Sequence, residues 1–168
     1  MDRKLRVGWF SFSCCEDSTI IFTELLNDHY REWKKLIDFT SILVMQRHED
    51  LTDLDVAFVE GAITNEDQEG KLKKIRAVSK KLVAIGSCAC SGLPAGQRNQ
   101  FDETKKSEIE ALLTRFKYAK QVNKLSDLVT VDDTVGGCPM SETGFINIVD
   151  KYLKEFGIGN QTDAVKKI

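Results

Sequence analysis

Short apolar runs alternate with longer amphipathic segments along almost the whole chain. Strand-like runs are found at residues 5–12, 39–45, 54–60, 81–85 and 129–131. Helical spacing of apolar residues is found between and after them, at residues 20–36, 65–80, 104–116 and 142–156. Strands that alternate with helices favour a parallel sheet covered by helices on both faces. We therefore predict an α/β fold, a flavodoxin-like doubly wound parallel sheet, in a single domain at residues 1–158 with a loose tail at 159–168.

The connections between these segments carry further local signals. Asp17 or Ser18 is predicted to cap the first helix and Asn65 the second, because their side chains accept hydrogen bonds from free backbone N–H groups. The stretch from Gly86 to Gly92 is predicted to be a loop. Residues 124–128 are predicted to form a short turn or helix.

Composition excludes several classes of protein. The net charge is −2, so the chain presents no field that attracts nucleic acid or anionic lipid. No apolar run approaches the roughly 20 residues that a membrane-spanning helix needs. The N-terminus runs directly into a strand and lacks the apolar core of a signal peptide. We therefore predict a cytoplasmic protein without membrane insertion, and in that compartment five cysteines require a metal or redox explanation.

The cysteines fall in three segments, each of which follows a predicted strand. Cys14 and Cys15 follow the first strand, Cys88 and Cys90 the fourth, and Cys138 the last. Because the carboxyl ends of parallel strands share one edge of a sheet, these thiols can converge although they are far apart in sequence. A four-iron cluster needs four thiolates, so five cysteines leave one spare.

Two simpler interpretations compete with a cluster. Free cysteine is often a small buried hydrophobic residue, but five cysteines confined to three sheet-edge segments fit that interpretation poorly. A zinc-stabilised, non-catalytic binding domain is the other alternative. Structural zinc sites usually use paired Cys-x₂₋₄-Cys motifs, which the adjacent pair Cys14-Cys15 does not match.

Two acidic residues stand beside these segments. Glu16 directly follows the first cysteine pair, and Glu60 ends the third predicted strand. Each is an exposed or helix-capping acid in the simpler interpretation. In the functional interpretation each is a proton relay or a contact to a partner.

Five motifs occur in an order that resembles the small subunits of [NiFe]-hydrogenases, a family related to the 20-kDa cluster-bearing subunit of respiratory complex I. The resemblance covers about residues 5–156 and is most similar to the cytoplasmic, cofactor-linked hydrogenases. The motifs are Ser13-Cys-Cys-Glu16, Val59-Glu-Gly-Ala-Ile63, Gly86-Ser-Cys-Ala89, Pro94-Ala-Gly-Gln-Arg-Asn99 and Gly137-Cys-Pro139.

The resemblance implies a set of cluster ligands. Cys88 and Cys138 match ligands of the family directly, and Cys15 matches the second cysteine of the hydrogenase Cys-x-x-Cys-Glu pattern. The first cysteine of that pattern falls at Phe12, which cannot bind iron. Subunits of complex I use adjacent cysteines, so Cys14 is expected to supply the missing ligand, and Cys90 matches no ligand of the family.

The function implied by the resemblance is electron transfer. Such a subunit carries a proximal [4Fe–4S] cluster beside a NiFe centre, which a separate hydrogenase large subunit holds. Downstream iron–sulfur or flavin subunits would be further partners, and Glu16 would be a proton-relay candidate at the contact with the large subunit. A complex-I-like subunit that passes electrons to a quinone or another carrier is the alternative that the adjacent cysteines favour.

Overall fold

A five-stranded parallel sheet is the centre of the computed structural model, which describes residues 3–42 and 51–159. The strands are β1 (Leu5–Ser11), β2 (Ile37–Ile42), β3 (Leu54–Glu60), β4 (Ser79–Ile85) and β5 (Asp133–Val135). Their order across the sheet is β2-β1-β3-β4-β5, and each neighbouring pair is parallel. This is the strand order of flavodoxin-like doubly wound folds, so the predicted fold class is confirmed.

Helices connect the strands and cover both faces of the sheet. They are α1 (Asp17–Leu36), α2 (Glu66–Val78), α3 (Gly86–Ser91), α4 (Glu103–Arg115) and α5 (Glu142–Glu155). Short 3₁₀ turns at Gln97–Gln100 and Leu125–Asp127 complete the connections, and the second confirms the predicted turn at 124–128. Within residues 3–42 and 51–159, no helix is both long enough and apolar enough to cross a membrane.

The sheet separates two apolar cores. Trp9, Phe22, Phe58 and Phe145 belong to the core beneath α1 and α5, where the Trp9 and Phe22 rings stack with their centroids 4.3 Å apart. Neighbouring positions of the same strands, such as Phe10 and Val59, face the opposite core with Leu72 and Ile75 of α2. This alternation along the strands holds β1 and β3 rigidly in the middle of the sheet, where the order of the strands reverses.

Several predicted boundaries are wrong. The segment 129–131 is not a strand: β5 begins at Asp133, and Val129 and Val131 instead pack as loop residues against the second core. The predicted loop after β4 begins with helix α3. Neither Asp17 nor Ser18 caps α1, because the helix begins at Asp17 and Glu16 occupies the cap position. The predicted cap of α2 is confirmed, since the Asn65 side chain accepts from the backbone N–H of Gln68 at 2.9 Å.

Two predictions extend beyond the described residues. The second strand begins two residues earlier than predicted, at Ile37, and the end predicted for it, at 43–45, lies outside the described part of the chain. All of the predicted tail except Gly159 also lies outside it.

Candidate metal centre

Four cysteines line one pocket at the carboxyl edge of the sheet. Cys14 and Cys15 reach it from the segment after β1, Cys88 from α3, and Cys138 from the segment after β5. Cys88 is buried and Cys14 is half-buried, whereas Cys15 and Cys138 are exposed at the rim. The structure therefore brings together the four cysteines predicted as ligands, from three distant parts of the chain.

The segment with the first cysteine pair is held against the end of β3. Backbone hydrogen bonds in both directions, each 3.1 Å long, join Ser13 to Ala62 just beyond the two strand ends. The Cys14 sulfur then lies 3.5 Å from the Ser11 hydroxyl and contacts the Phe12 carbonyl oxygen at 3.7 Å. These contacts fix the direction in which the chain leaves β1, so the pair enters the pocket from one side.

Cys88 lies in the first turn of α3, which starts immediately after β4. Gly86 begins this helix with a φ of +76°, a conformation that favours glycine. A Cβ atom at this position would lie 2.9 Å from the Ser18 hydroxyl oxygen, so the glycine also permits α1 and α3 to approach closely. Burial of Cys88 follows from this tight junction.

Cys138 lies in a sharp turn after β5. Gly137 has a φ of +117°, and a Cβ atom there would lie 2.4 Å from the backbone oxygen of Pro139. The carbonyl oxygen of Gly137 accepts a 2.7 Å hydrogen bond from the backbone N–H of Ser87. This bond ties the turn with Cys138 to the helix with Cys88.

The first turn of α1 joins the walls of the pocket. Glu16 makes no capping hydrogen bond with its side chain. The buried carboxylate of Glu60 serves the helix instead, accepting from the Ser18 backbone N–H at 3.1 Å and from the Thr19 hydroxyl at 2.6 Å. The Ser18 hydroxyl in turn accepts from the backbone N–H of Met140 at 3.2 Å. Glu60 was singled out from the sequence, whereas the role of Ser18 gave no sequence signal beyond its polarity before a helix.

Cys90 faces away from the pocket. Its sulfur contacts the backbone carbonyl oxygens of Ala84 at 3.5 Å and Val135 at 3.9 Å, and its side chain packs against the second core. It is not among the residues that line the pocket. This orientation fits its interpretation as the spare cysteine, which remains a prediction.

The environment of the pocket favours protonated thiols when no metal is bound. Burial raises the pKa of the Cys14 thiol to about 11 and also raises the pKa of Cys88. At Cys15 a backbone hydrogen bond from Asp17 lowers the pKa, but a side-chain hydrogen bond with Asp17 and nearby negative groups outweigh it, so the pKa is raised. Metal binding at these thiols must therefore displace protons.

Glu16 lies beside the pocket rather than in it. Its side chain is exposed, it accepts a 3.1 Å hydrogen bond from the Ser11 hydroxyl, and it is not among the lining residues. Its φ of +63° places it in the left-handed region, as a sharp turn between β1 and α1 requires. The side chain is therefore available to a partner at this edge.

The residues present fit a four-iron cluster in their chemistry and arrangement. Such a cluster takes one thiolate on each iron, so its ligands surround it instead of meeting at one point. Among the described residues, no three His, Cys, Asp or Glu side chains are arranged to hold a single metal ion. The pocket has about 230 Å³ of free space, part of it open to solvent, and only about 10 Å³ is accessible to the centre of a water molecule. A cluster held by all four cysteines therefore occupies the mouth of the pocket.

A larger open cleft lies at the opposite, amino edge of the sheet. It is lined by charged side chains, several of which pair with each other: Asp55 accepts from Arg3 and from Lys80, each at 2.7 Å. No cysteine is among the residues that line it. We therefore place the candidate site at the smaller pocket.

Replacing Gly137 with Ala tests how the turn positions Cys138. The new Cβ atom would overlap the Pro139 oxygen in a conformation that already disfavours alanine, so we expect a loss of about 1–3 kcal/mol in the free energy of unfolding. Gly136→Ala is the matched control, since nothing lies within 4 Å of its Cβ position and its φ is not in the glycine region. Urea unfolding measures both variants, and equal stability of the two would contradict the steric explanation.

A protein family and several known proteins match the chain. The family described as the 20-kDa subunit of NADH ubiquinone oxidoreductase matches residues 14–152. The gamma subunit of the coenzyme F420 hydrogenase of Methanosarcina barkeri is 28% identical over 182 residues, which cover 99% of this chain and 61% of that protein. A subunit of the F420-non-reducing hydrogenase of Methanothermobacter marburgensis is 26% identical over 172 residues, which cover 92% and 55% of the two chains. The chain thus spans little more than half the length of these relatives.

Solved structures share the fold. A chain of an NAD+-reducing [NiFe]-hydrogenase in the H2-reduced state superposes with a TM-score of 0.74 and 22% identity, over 99% of each chain. A chain of the nickel–iron–selenium hydrogenase of Desulfomicrobium baculatum superposes with a TM-score of 0.62 and 14% identity, over 97% of this chain and 68% of the other. At these identities the likeness concerns the fold alone. From the family match over residues 14–152, the chain belongs to the NADH ubiquinone oxidoreductase 20-kDa subunit family, and its relatives include subunits of hydrogenases, which are oxidoreductases.

Proposed function

We propose that this chain is the electron-transfer subunit of a nickel–iron hydrogenase and holds the proximal [4Fe–4S] cluster on Cys14, Cys15, Cys88 and Cys138. The observation that carries the proposal is the pocket: four cysteines from three distant segments line it, and the fifth does not. When bound, the cluster accepts and passes on single electrons. The chain ligates it, and the close junctions among α1, α3 and the turn after β5 keep the four thiols in place.

The exposure of the rim supports a partner subunit at this edge. Cys15 and Cys138 are exposed, so a group held by all four thiols meets solvent on that side unless another chain covers it. Permanent subunit interfaces bury more than roughly 2,000 Å² and are apolar. The covering chain in this proposal is the hydrogenase large subunit with its NiFe centre, and electrons leave towards a downstream iron–sulfur or flavin subunit.

Metal analysis tests the cofactor and its ligands together. Protein purified without oxygen should contain about four irons and four acid-labile sulfides per chain, one thiolate being bound to each iron. Cys90→Ser should keep this content because its sulfur faces the sheet backbone, and Cys88→Ser should lose it. Two irons or one zinc per chain would contradict the proposal. Loss of the cluster in Cys90→Ser with retention in Cys14→Ser would show that the spare cysteine was assigned wrongly.

Co-purification from the native source tests the partner. We expect an affinity-tagged chain to bring with it a larger subunit that contains nickel, and the complex to reduce a viologen dye with hydrogen. Expression of the chain alone should give protein that aggregates or loses its cluster, because the rim of the pocket stays uncovered. A monodisperse, cluster-loaded monomer obtained in that way would contradict the need for a covering subunit.

A complex-I-like subunit is the second candidate function. The observation that favours it is that adjacent cysteines, Cys14 and Cys15, both line the pocket, as the cysteine pair in complex I subunits would. The same purification separates the two functions. A complex that carries the cluster, lacks nickel and reduces a quinone analogue would support this alternative over the hydrogenase.

Glu16→Gln tests the proton relay. The amide keeps the shape and the hydrogen bond from Ser11 but cannot carry a proton. If the exposed carboxylate relays protons from the partner, assembly and iron content should be unchanged while hydrogen turnover falls by about 100-fold, the lower end of what a positioned acid–base group contributes. Hydrogen uptake by the purified complex measures this. Normal turnover in an intact Glu16→Gln complex would assign Glu16 a structural role at the turn before α1.

A further inference from the structure

Glu60 is a buried acid that lines the cysteine pocket. It is the last residue of β3 and only 3% exposed. The four cysteines at the pocket and Glu60 lie at the carboxyl edge of the same sheet. The relay proposed for Glu16 makes no use of this residue, which cannot exchange with solvent as readily as an exposed side chain does.

The hydrogen bonds of Glu60 treat it as an acceptor only. One oxygen accepts from the backbone N–H of Ser18 at 3.1 Å, and the other from the hydroxyl of Thr19 at 2.6 Å. The Thr19 oxygen in turn accepts from the indole N–H of Trp9 at 2.9 Å, so its own proton is directed to Glu60. Acceptance at both oxygens is the pattern of an ionised carboxylate. Its place at the N-terminus of α1 also favours a negative charge, because the free N–H groups of the helix point towards it.

The contacts of Glu60 extend to every segment that carries a pocket cysteine. The first turn of α1, which Glu60 holds, follows Cys14 and Cys15 directly. Through Ser18 the same turn binds the backbone of Met140, two residues beyond Cys138, and lies against Gly86, two residues before Cys88. A change in the side chain of Glu60 therefore acts at the centre of the site and not at its periphery.

The charges around the pocket are of one sign. Glu60 and Asp17 are the acids among the described residues that line it, and none of those residues is a lysine or arginine. A fixed negative charge opposes the addition of an electron to a nearby redox group, and burial strengthens the effect because the local dielectric constant is low. Charge and hydrogen bonding near a cluster are among the factors that set its reduction potential.

We propose that Glu60 is a positioning residue whose buried negative charge lowers the reduction potential of the cluster held by the pocket. This inference rests on the proposed function, since it requires the cluster to be bound at these cysteines. It assigns to Glu60 a role in tuning electron transfer, separate from any role in moving protons.

A redox titration monitored by electron paramagnetic resonance tests this inference on the anaerobically purified complex. Dithionite supplies the single electron that the cluster takes up, and the signal of interest is the one absent from Cys88→Ser. Glu60→Gln removes the charge with little change in shape, so the midpoint potential of that signal should rise. Glu66→Gln removes an exposed acid at the start of α2 and should leave the potential unchanged.

Two further variants separate charge from structure. Thr19→Val removes a hydrogen bond to Glu60 but keeps its charge, so it should destabilise the protein without raising the potential. Glu60→Met removes the charge without offering an amide and should raise the potential as Glu60→Gln does.

The outcomes distinguish the two proposals. A cluster-loaded Glu60→Gln variant with the wild-type potential would overturn the present inference and leave the proposed function intact. Loss of the cluster from both Glu60 variants, with retention in Thr19→Val, would also overturn it, because Glu60 would then be needed for assembly. A wild-type protein that binds no cluster would overturn both.

Discussion

The hydrogen bonds between Glu60 and the first turn of α1 are the interaction on which the site depends. They attach the end of the central strand β3 to the helix that follows the first cysteine pair. Without them, the N-terminus of α1 would have buried N–H groups with no partner, which is costly. Because the same turn also binds the segment after Cys138 through Ser18, three parts of the chain are aligned by one short stretch of helix.

The fold supplies the rest of the arrangement. In a parallel sheet of this strand order, the carboxyl ends of β1, β3, β4 and β5 are neighbours, and the segments that leave them meet at one edge. Two glycines allow the close approaches at this edge: Gly86 where α3 meets α1, and Gly137 in the turn before Cys138. The aromatic core around Trp9 and Phe145 fixes α1 and α5 on the sheet below. The rigid part of the molecule therefore lies directly beneath the cysteines.

Much of the fold could be predicted from the sequence because its strands are strongly patterned. The strand Leu54–Glu60 is continuously buried, and an uninterrupted apolar run of that length before a glycine is typical of a central parallel strand. The predictions failed where composition misleads. Helix α3 is only six residues long and is made of Gly, Ser, Cys and Ala, which resembles a loop. Strand β5 contains Asp133 and Thr134, whereas the more apolar Val129 and Val131 before it pack as loop residues.

The cysteines of the site were predictable, and their supporting contacts were not. Spacing after strands placed Cys14, Cys88 and Cys138 at one edge without any knowledge of side-chain positions. The bond from Thr19 to Glu60 joins residues 41 positions apart, and that from Met140 to Ser18 joins residues 122 positions apart. Such contacts leave no periodic trace in the sequence, so only the structure shows that Glu60 reaches α1 and that Cys90 turns away from the pocket.

The most direct test of this account is anomalous diffraction at the iron absorption edge from crystals of the anaerobically purified protein. The account predicts four iron sites in the mouth of the pocket, each bound by one sulfur of Cys14, Cys15, Cys88 or Cys138. A single metal at the pocket, iron located elsewhere, or the sulfur of Cys90 among the ligands would contradict it.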